Sequence, residues 1–150
     1  MASRNGDREF DVIVFGASGF TGQYVVEYLR GKPKLRVGIA GRSAERLARL
    51  GRPENIIIAD VNNESAMRDM CRRGTVLLNC VGPYRFFGEA VVRACLAADT
   101  HYLDISGEPE FIESMELQYK EEAQKKVRST HLEAECPGRS LTTRWIAIIS

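Results

Sequence analysis

Three glycines, at positions 16, 19 and 22, follow directly on an apolar run in the stretch VIVFGASGFTG. A buried strand that runs into such a turn and then into a helix leaves backbone N–H groups unsatisfied at the helix start, where the helix dipole favours an anion. Side chains would block the approach of that anion. Gly16 permits the tight turn off the strand, Gly19 brings the backbone near phosphate oxygens, and Gly22 lets the helix pack close to the sheet. Ser18 and Thr21 add hydroxyls for the same oxygens, and Phe20 lies between Gly19 and Thr21. The chemistry indicated is the binding of a dinucleotide pyrophosphate, although the first glycine gap is one residue longer than usual. A tight turn without a ligand remains the alternative for glycines taken alone.

The second half of such a site lies about 20 residues further on, where an acid selects NAD through its ribose hydroxyls. This chain has Gly41-Arg42-Ser43 there, and no carboxylate to repel a 2′-phosphate. Arg42 could clamp that phosphate, with Ser43 supplying a hydroxyl or a helix-terminal N–H. NADP(H) is therefore favoured over NAD(H), unless Arg42 is only a solvated residue before a helix. Asp60 could lie near adenine or cap the next helix through Val61-Asn62. Asn79 is polar inside an apolar run and wants a partner, either cofactor or loop backbone. Cys80, Val81 and the rigid Gly82-Pro83 turn follow it, beside the expected nicotinamide end. Tyr84, Phe86 and Phe87 could wall that pocket from a loop, or be core. Arg85 reads as solvated rather than as a partner for a substrate anion. Asp104, Ser106 and Glu108 crowd the end of another strand, where they could bind substrate or shape the turn. No single residue stands out as a catalytic acid or base. Tyr28 and Lys32 reproduce a Tyr-x-x-x-Lys spacing known from dehydrogenases, but on the wrong element for catalysis.

The elements that must position these residues alternate in type. Strands are predicted at 10–15, 36–40, 55–60, 75–81 and 101–105. Helices are predicted at 20–30, 43–50, 65–73, 89–98 and 109–126. Strands each followed by a helix imply an α/β protein with a Rossmann-type doubly wound parallel sheet of five or six strands, ligand at their carboxyl ends. Residues 1–9 read as a polar N-terminal arm and 10–126 as the dinucleotide-binding domain. Residues 127–150 read as an atypical tail, in which 145–149 could form the sixth strand.

Composition narrows the classes further. A formal net charge of +1 creates no strong field toward nucleic acid or acidic membrane. No apolar stretch approaches the roughly 20 residues needed to span a bilayer. The polar N-terminus has no signal-peptide core. Cys71, Cys80, Cys95 and Cys136 form no Cys-x-x-Cys pair, and His101 and His131 are the only histidines, so no metal site is expected. Cys80 and Cys95 read as small core residues in a reducing, intracellular compartment.

Four blocks together resemble the saccharopine dehydrogenase-like oxidoreductase family: VFGASGFTGQ, AGRS, LNCVGPYRFFGE and DISGEPEF. The similarity spans about residues 10–126. It implies an NADP-binding Rossmann domain, followed in full members by a substrate and dimerisation domain before which this chain is expected to stop. A small-molecule substrate and a homodimer are implied only for those longer members. The family resembles, more distantly, saccharopine reductases and enoyl reductases of bacterial glycolipid synthesis. Animal members are similar to proteins of lipid droplets, mitochondria and membranes, so peripheral association with such surfaces is implied. A non-catalytic nucleotide-binding or interaction module is the alternative function.

Overall fold

The structure is a computed structural model and describes residues 8–129. Residues 145–149, read above as a possible sixth strand, and Cys136 lie outside the described residues. Five strands form one sheet: β1 (Phe10–Phe15), β2 (Val37–Gly41), β3 (Ile56–Ile58), β4 (Gly74–Asn79) and β5 (His101–Asp104). Between and after them run α1 (Phe20–Arg30), α2 (Ala44–Ala48), α3 (Glu64–Arg73), α4 (Tyr84–Ala97) and α5 (Pro109–Ser129). The strand order is β3-β2-β1-β4-β5 and every pairing is parallel. The order reverses between β1 and β4, which opens a crevice at their carboxyl ends.

The central strand explains the two layers. Ile13 and Val14 are both fully buried, yet neighbouring strand residues point to opposite faces. Ile13 and Phe15 join Leu77, Met67, Met70, Val91, Cys95 and Phe111 in the larger core, under α3, α4 and α5. Val14 joins Val26, Ile39 and Leu47 in the smaller core, under α1 and α2. A strand apolar on both faces is what a sheet covered by helices on both sides requires.

The predicted elements are all present, with shifted ends. Arg36 lies outside β2, with its guanidinium on Asp11 at 2.7 Å. The largest shift is α4, which begins at Tyr84 rather than at 89. Tyr84, Phe86 and Phe87 are therefore on its first turns and not in a loop. Tyr84 is core, its ring tilted against Phe111 at 5.7 Å, whereas Phe86 is 69% exposed beneath the Arg85 guanidinium.

At the opposite, amino edge of the sheet, Arg8 donates to the carbonyls of Cys71, Gly74, Ala98 and Asp99 and to the Thr100 hydroxyl. It gathers the carbonyl ends of α3 and α4, which need donors or cations. Glu9 pairs with Arg73 at 2.7 Å beside it, which lowers the Glu9 carboxyl from its usual range. Cys71 and Cys95 are buried neighbours with their sulfurs 3.6 Å apart.

Candidate functional site

The turn between β1 and α1 sits on the crevice. Gly16 has φ +80°, in the left-handed region that favours glycine. A Cβ there would also fall 2.7 Å from the Val81 side chain. The amides of Gly16 and Ala17 donate to the Ala40 carbonyl at 2.9 and 3.1 Å, which ties the turn to β2. The helix then closes its first bond from Gln23 N–H to the Gly19 carbonyl at 3.1 Å. Gly19 is the N-cap and has no side chain to offer. The N–H groups of Phe20, Thr21 and Gly22 thus lack an acceptor within the helix. A Cβ on Gly22 would collide with the Gly16 carbonyl and stand 2.8 Å from Ala17 Cα. Both glycines are sterically required: Gly16 lets the Val81 side chain abut the turn, and Gly22 lets α1 pack onto it.

The Ser18 and Thr21 hydroxyls, both partly exposed, form no hydrogen bond among the described residues. The Phe20 side chain, 82% exposed, turns outward against Tyr24, so only its N–H faces the turn. Tyr28 lies in the last turn of α1 and Lys32 just beyond it, the ammonium 5.0 Å over the ring, away from the crevice.

The turn between β2 and α2 stands beside the glycine turn. Ser43 is the N-cap of α2 and accepts from the Arg46 N–H at 3.3 Å. Arg42 is exposed, with no ion pair among the described residues. Glu45, the one carboxylate in α2, is taken by Arg49 at 2.6 Å. Sequence reasoning missed Arg46. Its guanidinium donates to the Ser18 carbonyl at 2.7 Å and so bridges α2 to the glycine turn. The available signal was its place on the first turn of α2, directly after the Arg42-Ser43 turn.

Asp60 is turned into its own loop, accepting from the Asn62 N–H and amide at 2.9 and 3.0 Å. Asn63, not Asp60, caps α3, through the Ala66 N–H.

On the other side of the crevice, Asn79 is fully buried at the end of β4. Its amide donates to the Tyr102 hydroxyl at 3.1 Å and its oxygen accepts from the Val81 N–H at 3.0 Å. Both a side chain and the loop backbone therefore satisfy it. Burial pushes the Cys80 thiol up to about 11, so it stays neutral near pH 7 and offers no thiolate. Gly82 and Pro83 are exposed and lead into α4. Asp104, Ser106 and Glu108 come together behind this turn. The Tyr102 hydroxyl donates to Asp104 at 2.8 Å, and the Ser106 N–H donates to the other Asp104 oxygen at 3.0 Å. Burial still lifts the Asp104 carboxyl above its ordinary range. Glu108 accepts from the N–H groups of Tyr84 and Arg85, and these bonds hold its carboxyl below the usual range.

A parallel sheet that reverses order between β1 and β4, with an open glycine turn at the reversal, defines a Rossmann-type dinucleotide-binding domain. The family model described as the saccharopine dehydrogenase NADP binding domain matches residues 12–130, and the chain belongs to that family. It is 45% identical to the human saccharopine dehydrogenase-like oxidoreductase over 136 residues, covering 77% of this chain and 32% of that protein. It is 41% identical to a lipid droplet localized protein of Caenorhabditis elegans, covering 76% of this chain and 30% of that one. The chain thus spans about a third of the length of these relatives. Among solved structures, apo saccharopine dehydrogenase from Saccharomyces cerevisiae shares the fold, with TM-score 0.59 at 23% identity over 69% of this chain and 23% of that chain. Among the described residues, no helix is long and apolar enough to cross a membrane.

Proposed function

We propose that this domain binds NADP(H) in preference to NAD(H), as the cofactor-holding part of an oxidoreductase. One observation carries the preference. The end of β2 presents Arg42 with no carboxylate directed at it, and Arg46 adds a second guanidinium on the adjoining turn. A 2′-phosphate there meets cations, whereas an NAD-selective site would hold an acid. The pyrophosphate would rest on the N–H groups of Phe20, Thr21 and Gly22, with the Ser18 and Thr21 hydroxyls beside it. Gly16 and Gly19 would let it approach, and Ser43 would add its hydroxyl at the 2′-phosphate. Asp60 would flank the adenine side without a charged contact. The segment from Asn79 through Cys80, Val81, Gly82 and Pro83 would lie against the nicotinamide half. The dinucleotide supplies hydride chemistry when bound, and the protein's part is to hold and orient it. Association with lipid droplets or mitochondria is extended here from relatives so named, and small-molecule reduction and dimerisation from the family resemblance, as part of the same proposal.

Titration of NADPH and NADH into the wild-type chain and into Arg42→Glu tests this reading. Exchange of a charge-assisted contact for repulsion should weaken NADPH by about 30-fold or more, with NADH changed by about threefold at most. Equal losses for both nucleotides would remove Arg42 from the 2′-phosphate site.

A further inference from the structure

Two helices begin at this crevice, and only one N-terminus is open. The N-cap of α4 is Pro83, which has no side chain able to accept. Its first N–H groups are nevertheless satisfied. Glu108 Oε1 accepts from Tyr84 N–H at 2.8 Å and Oε2 from Arg85 N–H at 3.0 Å. The carboxylate arrives from the loop after β5, more than 20 residues later in the chain. A carboxylate at a helix start is favoured by both hydrogen bonding and the dipole. It also takes the position an external phosphate would use.

Glu108 is itself held. Its N–H donates to the Ser106 hydroxyl at 3.1 Å, and Ser106 is bonded to Asp104, Asp104 to Tyr102, and Tyr102 to Asn79. Asn79 then fixes the Val81 N–H, and its carbonyl accepts from the Tyr84 hydroxyl at 2.9 Å. The chain of bonds closes on itself. The exposed turn at Gly82 and Pro83 hangs between two pins, Asn79 on one side and Glu108 on the other. Gly16 abuts the side chain of Val81, so this turn forms one wall of the crevice.

We infer that Glu108 is a positioning residue: it closes the N-terminus of α4 to phosphate and holds the turn at Gly82 and Pro83 in place for the nicotinamide half of the dinucleotide. The inference rests on the dinucleotide reading above. It makes a demand that a simple helix cap does not. Glu108 bonds no residue of the glycine turn or of α2, so its loss should be felt by one half of the ligand only.

The experiment is calorimetric titration of the 150-residue chain and its Glu108→Gln variant with NADPH and with adenosine 2′,5′-bisphosphate, which lacks the nicotinamide half. Glutamine offers one acceptor oxygen and sets an N–H₂ donor against the second N–H. NADPH should weaken by about fivefold to tenfold, with the bisphosphate unchanged within about twofold. Addition of formate to Glu108→Ala should recover part of the NADPH affinity, because a small carboxylate can occupy the vacated helix start. Equal losses for both ligands, or no loss for NADPH, overturn the inference. If Glu108→Gln fails to melt cooperatively, Ser106→Ala decides, since it removes only the hydroxyl behind Glu108. An NADPH-selective loss of about threefold supports the positioning role, and a uniform or absent effect overturns it. Should the wild-type chain bind neither ligand, the dinucleotide reading itself has failed, and this inference falls with it.

Discussion

The turns after β1 and after β4 meet at the centre of the crevice and treat the same electrostatic feature in opposite ways. Each leads into a helix whose first N–H groups lack a local side-chain cap. After β1, the N-cap is Gly19, which brings no side chain to those groups. After β4, a distant carboxylate accepts from them. A helix start attracts anions wherever it stands. Selectivity for one phosphate position therefore needs one start kept open and the neighbouring one closed.

The most damaging way to break this contrast is to close the open turn. Gly22→Ala puts a methyl onto the Gly16 carbonyl, where backbone and not a flexible side chain must give way. Urea unfolding should show a loss of about 3 kcal/mol, and NADPH binding should disappear as α1 is displaced from the turn. A stable variant with intact binding would show that α1 can shift away from the sheet at no cost.

Loosening the closed turn should cost less. Tyr102→Phe removes the hydroxyl that accepts from Asn79 and donates to Asp104, and both partners are buried. The loss should be about 2 kcal/mol in the same unfolding experiment, since two polar groups are left unsatisfied. The bisphosphate affinity should stay put, because the ring does not reach the glycine turn.

Acid gives the smallest and most diagnostic effect, because the two carboxylates of the closed turn shift in opposite directions. Glu108 is lowered by the N–H bonds from Arg85 and Tyr84. Its contribution is complete above the ordinary glutamate range and is lost as pH falls through its folded-state value. Asp104 is raised by burial. The cost of its charge is present above its folded-state value and is relieved as pH falls through it. Urea midpoints measured from neutral to acid pH should show the deficit of Glu108→Gln shrinking toward acid. The difference made by Asp104→Asn should move in the other sense, and parallel curves would mean that the two groups titrate as one.

The contrast between the turns also separates what could be read from what could not. Everything that builds the open turn is contiguous, from the apolar run of β1 to Gly22, and local backbone sterics require its glycines. Arg42 follows at a spacing set by one helix and one strand. α4 begins five residues before its predicted start because its cap comes from Glu108, on another element. The same displacement put Tyr84 in a loop, although it packs on Phe111 in the core. The role of Arg46 is not legible in chain order because its partner, the Ser18 carbonyl, belongs to the preceding unit of the fold. Arg8 looked like part of a polar arm, and only packing brings the carbonyl ends of α3 and α4 to it.

By itself, the sequence determined the alternation of strands and helices, the parallel sheet and the glycine turn after β1. Each of these follows from periodicity or from steric demands between residues close in the chain. Tertiary structure alone decided that Asp104, Ser106 and Glu108 serve a helix begun 20 residues earlier, and that Asn79 meets Tyr102. Those pairings depend on β4 and β5 lying side by side in register, with Leu77 opposite Tyr102 and Asn79 opposite Asp104. Chain order does not encode that neighbourhood locally; it arises when both strands bury their apolar faces in one core.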